Sequence, residues 1–267
     1  MKRKLKIEIG LAVLLLLIAL FGSFLAPYDP LKVNYDFSLQ PPSFLHIFGT
    51  DKLGRDVFSR ILCGAKTSFG LTFLMLFLIV FIGMIVGLIA GLSNDKVESF
   101  FNNIINGLLA FPDTIFAIAI VGIVGAGLFN TVFALALIWW TKYARLTLAL
   151  VKQEKKKNYL VMAQMSGVPT LQRIIRYLLP NILSQILVTT FLDIGNMMIS
   201  LAGLSFLGLA SQPPQPEWGA MLSEAKNVMA TNPNQMIVPG LAILIIVAAF
   251  NLLGDSFRDA LDHKEVA

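Results

Sequence analysis

Residues 69–92 read FGLTFLMLFLIVFIGMIVGLIAGL, 24 positions without a charged side chain. A hydrocarbon core about 30 Å thick needs roughly 20 apolar helical residues, so this stretch is long enough to cross a bilayer. In lipid every backbone N–H and C=O must bond within the protein, and a single segment meets that demand as an α-helix. Gly83, Gly87 and Gly91 recur every fourth residue. That spacing puts all three on one face, where another helix backbone can approach closely, and bundle packing is its expected use.

The rest of the chain has the same character. Its 267 residues are 56% hydrophobic and 14% charged, with a mean hydropathy of +0.75. Soluble domains average about 45–50% apolar and about 25% charged, so a water-soluble domain is excluded, as are disordered, collagen-like and disulfide-stapled chains. Five further apolar stretches stand beside 69–92: 7–26, 100–126 (interrupted by Pro112 and Asp113), 128–150 (with Lys142 and Arg145 in its last turns), 182–202 and 237–253. The expected fold class is all-α, a polytopic membrane bundle of about six helices. Residues 1–68 form a first helix with an extracytoplasmic segment, and 69–267 form a five-helix core. The basic start (Lys2, Arg3, Lys4, Lys6) before 7–26 also suits a secretory signal. The 20-residue apolar run and Pro27 after the only cleavage candidate favour a retained helix.

The net charge of +5 reads as topology rather than as a nucleic-acid surface. With the N-terminus inside, 15 of the 21 Lys and Arg fall in inner segments. This follows the positive-inside rule and puts both termini in the cytosol. One cysteine, Cys63, allows no internal disulfide, and the two histidines, His46 and His263, have no ligand spacing, so no metal site is expected.

Acidic residues inside apolar segments are costly and default to a functional reading. Asp193, followed by Gly195 and Asn196, either lines a pathway or forms a buried polar clasp. Asp113 either lines a pathway or marks a helix break near the membrane surface. Met197 and Met198 read as packing rather than as soft-metal ligands.

The loop 152–181, KQEKKKNYLVMAQMSGVPTLQRIIRYLLPN, opens with charges and continues as an amphipathic run to Gly167, a helix terminator. Pro169 suits the first turn of a second helix over 170–179, and Pro180 ends it. Two short helices would then project into the cytosol, with apolar residues such as Tyr159, Leu160, Ala163 and Ile174 seeking a partner groove. The same pair could instead lie in the membrane interface, held by basic residues.

Tyr159, Ala163, Gly167, Leu179, Pro180 and Asn181 resemble the coupling-loop motif of binding-protein-dependent ABC importer permeases. The family pattern places Glu-Ala-Ala ahead of the glycine. Here those positions are Val161, Met162 and Ala163, and Tyr177 stands where the family has Ile. The run 48–60 (FGTDKLGRDVFSR), Pro27-Tyr28-Asp29-Pro30, 204–209, 213–221 and 251–255 are similar to motifs of the peptide/nickel branch, over nearly the whole chain. The resemblance implies a "C"-type subunit with the type I permease fold, paired with a homologous "B"-type permease as a heterodimer. It also implies two ATPase subunits, which bind ATP and Mg, and an extracytoplasmic substrate-binding protein, in a prokaryotic cell membrane.

What the resemblance implies for individual residues is specific. Tyr159, Ala163, Gly167, Pro169, Leu179 and Pro180 form the ATPase-coupling loop. Asp193, Asn196 and Asp113 are candidates for the translocation pathway. Asp51, Arg55, Asp56 and Trp218 are candidates for binding-protein docking, although an interfacial anchor with a stiff turn serves equally well for Trp218. Residues 163–167 and 192–206 look more like nickel permeases than dipeptide ones. Import of nickel or a nickel chelate is therefore the first expectation, with di- or oligopeptides the alternative. No G-x-x-x-x-G-K-[ST] loop occurs, so no cofactor or ATPase site of its own is expected. A secondary transporter would show broken helices in both halves, and a membrane enzyme a Ser/His/Asp set, H-E-x-x-H or paired carboxylates; neither pattern occurs.

Overall fold

The computed structural model describes residues 2–265, which fold into helices, with one long connection over residues 26–56; among the described residues there is no β-strand. Helix α1 spans Lys2–Leu25, α2 Val57–Leu92, α3 Asp95–Leu109, α4 Asp113–Val124 and α5 Leu128–Lys155. Then follow α6 Asn158–Met165, α7 Thr170–Arg173, α8 Leu179–Phe206, α9 Trp218–Ala225 and α10 Asn234–Glu265. Five helical stretches are long and apolar enough to cross a membrane. A sixth crossing requires counting α3 and α4 as one unit, and they meet at 87°.

The break between α3 and α4 has a local cause. Pro112 has no N–H to donate and pushes the residue before it out of helical geometry. The Asp113 carboxylate then accepts the N–H of Thr114 at 2.7 Å and restarts the chain as α4. The apolar run 100–126 is therefore a bent pair, not one straight span.

Two helices outrun their apolar cores. Helix α2 has 36 residues, about 54 Å at 1.5 Å per residue. It begins at Val57, inside the stretch expected to be an extracytoplasmic segment, because Asp56 caps it by accepting the Ser59 N–H at 2.7 Å. Helix α5 runs to Lys155. Lys142, expected in the last turns of its span, therefore sits near the middle of a helix.

The centre of the bundle is the α2–α5 contact, and the glycine stripe makes it. A Cβ built on Gly83 would lie 2.5 Å from Tyr143 Cβ, one on Gly87 2.5 Å from Thr147 Cβ, and one on Gly91 2.7 Å from a Val151 methyl. The backbones are too close for any larger residue, which is the packing expected from the spacing. Helices α8, α9 and α10 close the other side, with Phe69, Phe73 and Phe250 in edge-to-face contacts at 6.1–6.4 Å.

Helix α8 does not start after a break at Pro180. The chain is helical from Thr170 to Phe206, with one π-turn over Ile174–Leu178. The Leu179 N–H reaches back five residues to the Ile174 carbonyl. Widening the turn there lets the helix take in a proline that would clash with an ordinary α-turn. The segment that opens at Thr170 and the apolar helix that ends at Phe206 are thus one continuous piece.

Candidate functional site

Three clusters of polar side chains stand out. On the side where α2 begins, Asp51 and Glu224 hold two arginines. Arg55 Nε donates to Asp51 at 2.7 Å and its Nη2 to Glu224 at 2.6 Å. Arg60 Nη1 pairs with Asp51 and lies 3.1 Å from Glu224. The arginines are about 1% exposed. Two positive and two negative charges cancel, the condition under which buried ions are tolerated. Beside them Asp56 accepts from Ser59 and meets His46 Nδ1 at 2.9 Å.

Trp218 is buried as well. Its Nε1 donates to the Ile61 carbonyl at 3.0 Å, and Glu217 caps α9 through the N–H groups of Gly219 and Ala220. The four docking candidates Asp51, Arg55, Asp56 and Trp218 therefore lie together, at 1–6% exposure. Buried side chains offer a docking protein almost no surface; their geometry is that of a clamp fastening residues 48–60 to α9. Glu217 and Glu224 complete it; Glu217 lies in the 213–221 motif, but Glu224 lies outside every motif, and their partners are 149 to 169 residues away.

The second cluster lies within the bundle. The Lys142 ammonium on α5 donates to both oxygens of Asp193 on α8 at 2.7 Å. Tyr143 OH donates to the same carboxylate at 3.0 Å, and the Asn196 amide approaches it at 3.4 Å. Asp193 is buried, whereas nearly half of the Lys142 side chain is exposed. That exposed part lines a groove of about 250 Å³ whose wall also holds Leu109, Phe111, Asp113, Ile138 and Trp139. Trp139 Nε1 is buried there without a hydrogen-bond partner. Asp113 and Lys142 thus line one groove, and Asp193 lies behind Lys142. Asn196 is exposed.

The third cluster is the 152–181 loop. Gly167 adopts φ +75°, ends α6 and turns the chain into Pro169. Here Pro169 is the residue capping α7 rather than part of its first turn. Tyr159 donates to Glu154 at the end of α5 and accepts from Asn181 Nδ2 at 3.1 Å. Burial, then the hydrogen bond to Glu154, pushes the Tyr159 phenol well above its ordinary range, so it stays a donor. Lys157 pairs with the other Glu154 oxygen at 2.6 Å. These bonds tie α5, α6 and α8 together.

Leu160 and Ala163 are buried, and Tyr159 and Ile174 half-buried. The outward apolar face is instead Val161, Met162, Met165, Leu171 and Ile175, at 45–83% exposure. The expected amphipathic face was rotated from the real one, because Tyr159 is drawn inward by Glu154. Leu179 is half-buried beside the π-turn, and Pro180 is exposed.

The comparisons with known proteins agree with this architecture. Residues 83–266 match the model of the binding-protein-dependent transport system inner membrane component. Residues 9–42 match the N-terminal TM domain of oligopeptide transport permease C. The chain is 42% identical to the glutathione transport system permease protein GsiD of Shigella flexneri serotype 5b, over 94% of this chain and 84% of that one. It is 37% identical to the nickel transport system permease protein NikC of Escherichia coli K12, over 93% and 90%. A solved structure of the MetNI methionine ABC transporter in inward-facing conformations has a similar fold, with a TM-score of 0.62, 19% identity, and coverage of 75% of this chain and 95% of that one. The chain belongs to the inner membrane components of binding-protein-dependent transport systems, as a C-type permease subunit of the peptide/nickel branch of ABC importers.

Proposed function

We propose that this chain forms half of the membrane pathway of an ATP-driven importer for small peptides. Its partners are a homologous permease, two ATPase subunits and an extracytoplasmic binding protein, and both of its termini lie in the cytosol. The observation that carries the substrate class is the groove beside Lys142. It offers the carboxylate of Asp113, the Lys142 ammonium held by Asp193, and an aromatic and aliphatic wall. A peptide brings an ammonium for the carboxylate, a carboxylate that can share the lysine, and apolar side chains for the wall.

Nickel is the second reading, supported by the 37% identity to a nickel permease. The groove offers the Asp113 carboxylate beside a lysine already paired with Asp193, and no nitrogen or sulfur ligand set for the ion. Metal selection would then fall to the binding protein, since this chain has two histidines and one cysteine.

ATP hydrolysis in the partner subunits would act on the exposed face of α6 and α7. The continuous helix from Thr170 to Phe206 would carry that push to Asp193 and the α5–α8 clasp. Uptake of labelled dipeptide, glutathione and radioactive nickel, measured in a strain deleted for this gene and complemented with it, tests the substrate class. Restored peptide or glutathione uptake supports the proposal; restored nickel uptake alone overturns it in favour of the second reading.

A further inference from the structure

A second cavity, about 340 Å³, opens at the other end of α5, beneath the coupling segment. Its polar wall consists of Lys155, Arg173, Gln164 and Thr170. No carboxylate lines it, although acidic residues are close by and neutralise other cations: Lys152 pairs with Glu98 and Lys157 with Glu154. Lys155 donates only to the Gly91 carbonyl at 3.1 Å, and Arg173 Nη2 only to the Thr170 hydroxyl at 3.0 Å. Neither has an acidic partner among the described residues. Arg173 Nε is buried with no hydrogen-bond partner. Two uncompensated cations and an orphaned guanidinium N–H around one cavity call for an anion with several acceptor oxygens.

The opposite wall is apolar, made by Leu92, Leu160, Ile174 and Leu178. Leu92 ends the charge-free run of α2, which on the proposed placing of the loop sets the cavity near the cytosolic headgroups. Its shape combines a cationic rim with a greasy floor.

We infer that this cavity binds a phosphate group, bridging Lys155 on α5 to Arg173 ahead of the π-turn. Its chemistry admits the phosphodiester of an anionic phospholipid or free inorganic phosphate, and the apolar wall suits the lipid. A bound phosphate braces the coupling segment against α5, so the anionic lipid content of the membrane sets how firmly the push on α6 and α7 reaches α8. This inference rests on the proposed placing of the loop on the cytosolic side.

The test uses the full transporter complex in nanodiscs of phosphatidylcholine with or without phosphatidylglycerol, read by lipid retention in native mass spectrometry. The wild type is expected to retain phosphatidylglycerol over phosphatidylcholine, and the K155Q/R173Q variant to lose that preference by about tenfold. Inorganic phosphate added at millimolar concentration separates the sources. Displacement of the lipid by phosphate, or phosphate binding without lipid preference, supports a phosphate site fed from solution, and resistance to displacement supports the lipid. Equal lipid retention by wild type and variant, with no phosphate bound, overturns the site.

Hydrogen exchange on the wild type alone guards against a variant that fails to fold. Phosphatidylglycerol or phosphate should slow exchange over residues 160–178, and unchanged exchange with both overturns the site. Peptide uptake by the wild-type complex is scored separately, so absent peptide uptake with intact lipid preference counts against the proposed peptide substrate and not against this site.

Discussion

Lys142 and Asp193, fifty-one residues apart, form a two-pronged ion pair that joins α5 to α8 at 2.7 Å. The two ends of this bond are unequal, because the aspartate is 2% exposed and the lysine side chain 47%. Removing either partner therefore has different consequences. Lys142→Met strands a buried carboxylate with only Tyr143 and Asn196 to satisfy it, at a cost of about 3–5 kcal/mol. Asp193→Asn leaves a lysine that can turn to water, and its cost should be about 1–2 kcal/mol. Thermal unfolding of the purified complex checks the order; equal losses would show that the pair is screened from both ends.

The glycine stripe predicts a steep size dependence. Gly87→Val drives its side chain into Thr147 and the Ala144 carbonyl, so the α2–α5 contact must open at a cost of about 1–3 kcal/mol or more. Gly107→Ala meets nothing within 4 Å and should leave stability unchanged or raise it by about 1 kcal/mol. Expression level and melting temperature of the two variants provide the comparison.

Gly167 is a different case, since space around it is open and only its φ of +75° constrains it. Gly167→Val should strain the turn by about 1–2 kcal/mol and reorient α6 against α7, while Gly167→Asn should be tolerated. The expected outcome is normal membrane content with lost uptake for Val and near-normal uptake for Asn. Uptake preserved in the Val variant would remove this turn from the coupling path.

The clamp on the other side predicts a loss from neutralising a single buried charge. Glu224→Gln leaves two buried arginines facing one carboxylate, Asp51, and should destabilise by about 3–5 kcal/mol. Proteolysis between residues 27 and 56 reports whether this segment comes loose from α9, as expected.

Much of the bundle could be read from sequence because the bilayer imposes length and polarity on each span. The 69–92 run, the glycine stripe and the turn at Gly167 all follow from local rules. What escaped was long-range pairing. Lys142 was assigned to a span's end because a charge ordinarily marks one; its partner Asp193 is what allows it inside. Asp51, Arg55 and Asp56 form a conspicuous motif whose charges face inward, and the partner that explains this, Glu224, lies three residues beyond the 213–221 motif. Pro180 was expected to stop a helix, and the π-turn before it is a backbone adjustment with no sequence signature.

On the proposed function, this chain is a passive path driven by partner ATPases through the exposed face of α6 and α7. The most direct test is ATP-dependent uptake of labelled peptide into vesicles holding both permeases, the ATPase subunits and the binding protein, with wild type or the M162D/M165D variant. These methionines are 68% and 83% exposed, so the variant should fold, insert and melt as the wild type does. The expected result is ATP-dependent uptake by the wild type and its loss in the variant, together with loss of ATPase co-purification. Uptake that persists undiminished without the ATPase subunits would contradict it.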